Sequence, residues 1–189
     1  MLNYGAYTQI QFSEENAGSN PNNNTTHDAE NLANADINYD LTPLTENEIN
    51  AIEMSAPNKE AMNAKLSGTG LTYYGYTMLL HSETKLRFYF IKDSKNTDIT
   101  GIHLSRDGVT YDAQNYNAKY AFVEVPAIPA YELNYSYTLT VGEENLGSYS
   151  ALTYVKDVLE NSPDDTTLRN TVTAMYRYHM AAVEWFNNN

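Results

Sequence analysis

Alternation of apolar and polar residues with a period of two constrains the fold of this chain more than any other feature. The segment TKLRFYFIK places Leu86, Phe88 and Phe90 on one side, with the residues between them on the other. The segment YELNYSYTLTV alternates in the same way from Tyr131 to Val141. This pattern is typical of strands in an antiparallel sheet with one buried face.

Further strands are predicted in LTYYGYTMLL, ITGIHLS and KYAFVEV, and the pair Asp107 and Gly108 predicts a tight turn. About five to seven short strands with no helix between them favour a β-sandwich. We therefore expect an α+β fold, an Ig-like antiparallel β-sandwich flanked by helices from the N-terminal and C-terminal segments.

Short helical signals lie on both sides of the strand region. Thr45 and Glu48 form a capping box, which predicts a short helix at about 45–54. Gly147 and Ser148 are expected to close the strand region. After them, SYSALTYVKDVLE shows helical spacing of its apolar residues.

A longer helix is predicted from the segment NSPDD onward. Ser162 is the expected N-cap, Pro163 the expected first helical residue, and the helix is expected to run to about Phe186. Its apolar stripe contains Leu168, Val172, Met175, His179, Ala182 and Phe186.

The opening segment MLNYGAYTQIQF matches the closing segment MYRYHMAAVEWF at Met, Tyr and Phe positions, with Gly5 against His179. The match predicts two equivalent helices that pack side by side. No capping residue precedes Met1, so we expect the first helix to be entered midway. The expected segments pack as one domain: an N-terminal helix over 1–12, a polar loop with a short helix over 13–70, a β-sandwich over 71–147 and a helical hairpin over 148–189.

Charge and composition restrict the classes of partner. The chain has 11 basic and 24 acidic residues, a net charge of −13, and no cysteine. Nucleic acid and acidic glycans are therefore expected to be poor partners, and disulfides and thiolate metal sites are excluded. No apolar run is long enough to span a bilayer. Seventeen tyrosines, together with runs of Asn, Thr and Ser, are typical of exported Gram-positive proteins.

Seven separated blocks give the chain a resemblance that covers almost its whole length. In order they are MLNYGAYTQ, NLANADI, GLTYYGYTMLLHSETKLRFYF, FVEVPAIPAYEL, YTLTVG, SYSALTYVKDVL and MYRYHMAAVEWF. Together they resemble a module that recurs in large secreted or cell-surface proteins of gut Firmicutes, relatives of Ruminococcus and Clostridium. The resemblance implies an extracellular or cell-surface location among neighbouring modules, and it implies no catalytic residues.

A calcium loop is one candidate metal site. Asp36, Asn38 and Asp40 stand at alternate positions, as oxygen ligands do at the start of such a loop. Leu41 and Asn47 depart from the pattern at its sixth and twelfth positions, and a solvated loop with Asx turns is the alternative. No cofactor is expected apart from calcium at this loop.

Candidate catalytic groups are few. The four histidines do not form a zinc-binding spacing, and His179 is expected to be a hydrogen-bonded residue at a helix interface. His81, Ser82 and Glu83 lie on one short turn, where they cannot form a triad. A glycosidase needs two carboxylates on either side of one sugar bond. Most neighbouring acidic residues in this sequence lie at predicted helix starts or turns, where capping and solvation explain them. Glu124 and Glu132 lie on predicted strands and remain the candidate catalytic carboxylates.

Tyrosines are the strongest candidate ligand-binding residues. Tyr73, Tyr74 and Tyr76 lie on one predicted strand, with Tyr111 and Tyr116 near the turn region. Flat rings can stack on the apolar faces of sugars, so an exposed row would suit a carbohydrate-binding module. Packing in the core or at its rim is the alternative, because tyrosine favours strands.

The expected function is that of a non-enzymatic extracellular interaction or spacer module in a larger bacterial surface protein. Its expected partners are neighbouring modules of the same polypeptide, and also a glycan or a host protein, without nucleic acid or membrane insertion. A glycan-binding module that uses exposed tyrosines is the alternative, and an uncharacterised hydrolase is the second alternative.

Overall fold

Two four-stranded antiparallel sheets form the centre of the protein in a computed structural model, which describes residues 41–80 and 83–188. Sheet A has the strand order β1-β2-β6-β5 and sheet B has the order β4-β3-β7-β8. The strands are β1 (Leu71–Leu80), β2 (Thr84–Lys92), β3 (Ile102–Arg106), β4 (Val109–Asp112), β5 (Gln114–Asn115), β6 (Tyr120–Val125), β7 (Tyr137–Val141) and β8 (Glu144–Tyr149).

The described residues also form four α-helices and a short 3-10 helix at Ala130–Glu132. The α-helices are α1 (Glu46–Asn50), α2 (Lys59–Lys65), α3 (Ala151–Asn161) and α4 (Thr166–Asn188). The predicted α+β class with antiparallel strands is confirmed, and the described strands number eight where five to seven were predicted. The predicted helix over residues 1–12 lies outside the described residues.

One hydrophobic core receives the inner side chains of both sheets. Leu86, Phe88 and Phe90 of β2 are fully buried, as the alternation of the sequence predicts. Sheet B contributes the equally buried Leu104 and Leu139. The predicted turn is also confirmed, because Asp107 and Gly108 join β3 to β4 with φ values of 51° and 81°. Residues from Thr42 onward form one compact unit.

The strand predicted across Tyr131–Val141 is wrong in its first half, because β7 begins only at Tyr137. The residues before it form the 3-10 helix and a turn. Glu132 N–H donates to the carbonyl of Pro129 at 2.9 Å, and Tyr135 N–H donates to that of Glu132 at 2.9 Å. These local bonds use the donors that a sheet ladder would need.

Helix α2 covers the free edge of β1. The Asn63 side chain accepts a hydrogen bond from Tyr73 N–H at 2.6 Å and donates one to the Tyr73 carbonyl at 3.4 Å. Lys59 Nζ donates to the next carbonyl, that of Tyr74, at 3.0 Å. The side chains of α2 therefore occupy the positions that a further strand would take.

Helices α3 and α4 form the C-terminal hairpin, but its second helix begins later than predicted. Ser162 ends α3, and its N–H bonds to Val158. The capping residue of α4 is Asp165, whose carboxylate accepts from Leu168 N–H at 2.9 Å. A carboxylate at the positive end of a helix dipole is a favourable N-cap. The prediction of Ser162 as the N-cap is therefore wrong, and Asp165 has that role. No helix in the described part of the chain is long and apolar enough to cross a membrane.

Candidate binding surface

The three tyrosines singled out in the sequence do not form an exposed row. Tyr73 is 2% exposed, and its ring packs edge-on against Phe90 with 6.0 Å between centroids. Tyr76 stacks on Phe88 at 5.5 Å and donates its hydroxyl to Asp157 at 3.0 Å. Burial and the neighbouring Asp157 carboxylate raise the pKa of the Tyr76 phenol. Tyr73 and Tyr76 therefore pack in the core and at its rim, which is the alternative to glycan binding given in the sequence analysis.

A β-bulge at Tyr74 explains this placement. Tyr73 lies opposite Phe90 and Gly75 lies opposite Tyr89, so two residues of β1 advance against one of β2. The extra residue reverses the alternation, and Tyr76 therefore joins Tyr73 on the inner side. Tyr74 is the member of the trio that lies on the outer side of sheet A, where its ring contacts Tyr120 at 5.7 Å.

The outer side of sheet A carries five aromatic rings, which we call the aromatic face: Tyr74, Tyr89, Tyr116, Tyr120 and Phe122. Tyr89 and Phe122 are directly opposite each other on β2 and β6, with centroids 6.5 Å apart. Tyr116 contacts both rings, at 6.4 and 6.3 Å, and is 62% exposed. The other four rings are half-buried.

Gly75 leaves a depression in this face. It lies opposite Tyr89, and no atom of residues 41–80 or 83–188 lies within 4 Å of the position that a Cβ would take. Neither an unusual backbone angle nor a close neighbour requires glycine here. Glycine weakens a strand interior and often marks a place where another molecule approaches the backbone. The depression therefore gives access to the strand beside the Tyr89 ring.

The outer side of sheet B is different in chemistry. Ser105 pairs with Thr110 on one side and with Thr138 on the other, and Thr138 pairs in turn with Ser148. The hydroxyls of Thr138 and Ser148 are 3.0 Å apart. A row of small hydroxyl side chains crosses all four strands. This is the wet outer face that alternating strands normally present.

A pair of opposite charges lies next to the rings on the aromatic face. Arg87 and Glu124 are cross-strand partners, and the Arg87 Nε to Glu124 Oε2 distance is 2.7 Å. The guanidinium also lies 4.2 Å from the centre of the Phe122 ring. Lys85 lies 3.7 Å from Glu124. The Glu124 carboxylate is thus engaged by two cations on the outer side of sheet A.

The remaining candidate residues are dispersed. His179 is 3% exposed, and its Nδ1 lies 2.7 Å from the carbonyl of Ala130. The predicted role of His179 as a hydrogen-bonded interface residue is confirmed. His103 bonds to Asp112 at 2.8 Å, and Glu132 lies 3.5 Å from Arg106. His27 and His81 lie outside the described residues.

The proposed calcium ligands Asp36, Asn38 and Asp40 also lie outside the described residues. Within residues 41–80 and 83–188, no group of three or more His, Asp or Glu side chains is arranged to hold a metal ion.

The alternation of β2 and β6 contains a signal for the rings that the sequence prediction missed. Tyr89 stands between the buried Phe88 and Phe90, and Tyr120 and Phe122 alternate with small or branched residues in KYAFVEV. These aromatic residues occupy the outward positions of two predicted strands, and that pattern is the sequence signal for the aromatic face. Their adjacency depends on strand pairing, which local pattern does not give.

Comparison of the chain with protein families, curated proteins and solved structures gave no match. Function is therefore inferred from the geometry of the described residues.

Proposed function

We propose that this chain is a non-enzymatic binding module of a larger extracellular bacterial protein, and that it binds carbohydrate on the aromatic face. The observation that carries the proposal is the contrast between the two outer sides of one pair of sheets. Sheet B presents Ser and Thr together with the His103 and Asp112 pair, whereas sheet A presents five aromatic rings. The extracellular location rests on the composition and on the resemblance to surface modules.

Carbohydrate is the proposed class of ligand because the aromatic face has rings at its centre and hydrogen-bonding side chains at its edges. Tyrosine and phenylalanine rings stack on the apolar C–H faces of sugars, and tyrosine hydroxyls can bond to sugar hydroxyls. Gln114 lies opposite Phe122 on one side, and the exposed Thr72 lies opposite Ile91 on the other. These side chains can donate and accept hydrogen bonds around a sugar that rests on the rings.

A pure spacer has no need for such a face, because small hydroxyl side chains like those on the outer side of sheet B are enough to cover a sheet in water. We further propose that the two sheets are an Ig-like sandwich flanked by the helices. The hydrolase alternative has less support, because Glu124 and Glu132 both lie against arginines.

The test is a glycan array probed with the wild-type chain, Tyr116→Ala, Tyr120→Ala and the control Thr138→Ala. Wild type and the control should bind the same glycans. Each ring removed should weaken binding by about two- to twelvefold, the effect of about 0.5–1.5 kcal/mol. Absence of glycan binding, or equal loss in the Thr138 control, would overturn the proposal. Release of shorter sugars from a bound glycan would favour the hydrolase.

A further inference from the structure

Two lysines flank the Tyr74 and Tyr120 ring pair on the aromatic face. Lys59 Nζ lies 5.3 Å from the centre of the Tyr74 ring, and Lys119 Nζ lies 5.3 Å from the centre of the Tyr120 ring. The two rings are 5.7 Å apart. The arrangement is a row of ammonium, ring, ring and ammonium along one end of the face.

Neither ammonium has an acidic partner within ion-pair distance among the described residues. Lys59 uses one N–H on the Tyr74 carbonyl, at 3.0 Å, and retains two donors. Lys85 and Arg87, by contrast, are paired with Glu83 and Glu124. The positive charge available to a ligand is therefore concentrated at the two lysines.

Basic side chains gather at this face although the chain as a whole is acidic. Lys59, Arg87 and Lys119 lie over its rings, and Lys85 and Arg87 pair with the carboxylates of Glu83 and Glu124. The chain as a whole carries −13. Charges more than about 8 Å away are largely screened at physiological salt, so nearby groups dominate the potential that a ligand meets.

We infer that the carbohydrate bound by this face is acidic, a sugar chain with carboxylate groups of the uronic acid type. The inference rests on the proposed carbohydrate-binding function. In this arrangement Lys59 and Lys119 bind carboxylates while the Tyr120 ring stacks on a sugar ring. It revises the expectation from net charge that acidic glycans are poor partners. Two ammonium groups suit a ligand with sparse charge, since the acidic remainder of the chain repels a densely charged polymer.

Nucleic acid fits the same groups less well. A single strand carries a phosphate on every nucleotide and is usually bound in a positive groove that follows its backbone. Two lysines at one end of a face, on a chain with a charge of −13, do not form such a groove. An oligonucleotide is therefore included in the test as a competing ligand.

The decisive experiment uses an array that carries neutral oligosaccharides with a single galacturonate, glucuronate or mannuronate residue, each beside its own methyl ester, with neutral glycans and a single-stranded oligonucleotide. Methyl esters remove the charge and keep the sugar ring. The wild type should prefer at least one free acid over its ester by about tenfold at low salt. The preference should shrink as salt rises, because screening weakens exposed charge pairs.

The variants separate charge recognition from stacking. Lys59→Gln with Lys119→Gln should abolish the preference for the acid, because binding of the free acid falls more than binding of the ester. Tyr120→Ala should weaken binding of both forms. Lys65→Gln is the matched control, because Lys65 Nζ bonds to the Asn145 carbonyl on β8.

The outcomes distinguish the two proposals. Binding confined to neutral glycans or to esters, with loss on Tyr120→Ala, overturns the acidic ligand and retains the binding module. Binding of the oligonucleotide that depends on Lys59 and Lys119 overturns it in favour of nucleic acid. No binding to any glycan overturns the proposed function itself.

Discussion

The carboxylate of Glu48 binds the guanidinium of Arg177, which joins the first described helix to the last across 129 positions of sequence. The same carboxylate accepts from Thr45 N–H at 2.8 Å and closes the capping box of α1. Arg177 Nη2 also lies 3.3 Å from the carbonyl of Thr42. A five-residue helix with little burial is thus held to α4 through its cap.

The Glu48 pair predicts acid sensitivity of folding. The hydrogen bond from Arg177, with those from Thr45, lowers the pKa of Glu48 from 4.5 to about 2. Because the folded pKa lies below the unfolded one, the stabilisation is complete above about pH 4.5 and is lost as pH falls toward 2. Glu48→Gln, which keeps an acceptor and removes the charge, should be less stable than wild type at pH 7.

Urea denaturation of both proteins at pH 7, 4 and 2.5 checks this prediction. The stability difference between wild type and Glu48→Gln should narrow steadily across the series. A difference that does not change with pH would show that the charge of Glu48 does not contribute.

The buried His179 predicts a loss of stability when its donor is removed. Because a carbonyl only accepts, Nδ1–H donates to Ala130 and fixes α4 against the 3-10 helix. His179→Leu leaves that carbonyl unpaired and should cost about 1–3 kcal/mol of unfolding free energy. His179→Asn, which keeps a donor near the Nδ1 position, should recover part of the loss. Thermal denaturation of the two variants should rank Asn above Leu.

Two capping boxes in the described part of the chain predict unequal losses of stability when the capping residue is replaced. Ser150 is fully buried, and its hydroxyl accepts from Thr153 N–H at 3.2 Å. Thr45 is exposed, and water can replace its hydroxyl at the N–H of Glu48. Ser150→Ala should cost about 2 kcal/mol and Thr45→Ala about 0.5–1 kcal/mol. Equal losses in chemical denaturation would show that burial does not set the value of the cap.

Gly147 predicts a steric clash on substitution. Its φ is +117°, and a Cβ there would lie 2.5 Å from the Tyr149 hydroxyl oxygen. Gly68, with φ +83° and no atom within 4 Å, is the matched control for backbone strain alone. Gly68→Ala should cost about 1 kcal/mol, and Gly147→Ala about 1–3 kcal/mol more because of overpacking.

A double-mutant cycle with Tyr149→Phe tests the clash directly. The second change removes the nearest atom, so the cost of Gly147→Ala should be smaller when Tyr149→Phe is also present. Additive effects of the two changes would place the cost in the backbone alone.

Sequence pattern identified β2 correctly because its two sides have different surroundings, a buried core and an outer face. The same pattern failed before Tyr137, where alternation is equally clear but the backbone follows Pro129 into a turn. Alternation of apolar and polar residues indicates that one side of a segment is buried and the other exposed. It does not indicate whether a neighbouring strand is present to pair with the backbone.

The proposed binding surface consists of aromatic residues, as in the sequence hypothesis, but most of them are different residues. The sequence pointed to tyrosines of β1, yet the bulge at Tyr74 moves Tyr76 inward and brings Tyr74 to Tyr120. A bulge is a property of two paired strands, so β1 alone does not reveal it. Lys59 and Lys119 reach the face from α2 and from the segment before β6, and only the tertiary fold brings them to one ring pair.

The Asn63 side chain that bonds to both backbone groups of Tyr73 also bears on aggregation. A long strand with a free edge invites pairing with the same strand of another copy, and crowding of copies increases that risk. Here α2 occupies the β1 edge, and at the other edge of sheet A β5 is only two residues long. Pairing between copies through sheet A is therefore blocked at Tyr73 and Tyr74 on one edge and meets only a two-residue strand on the other.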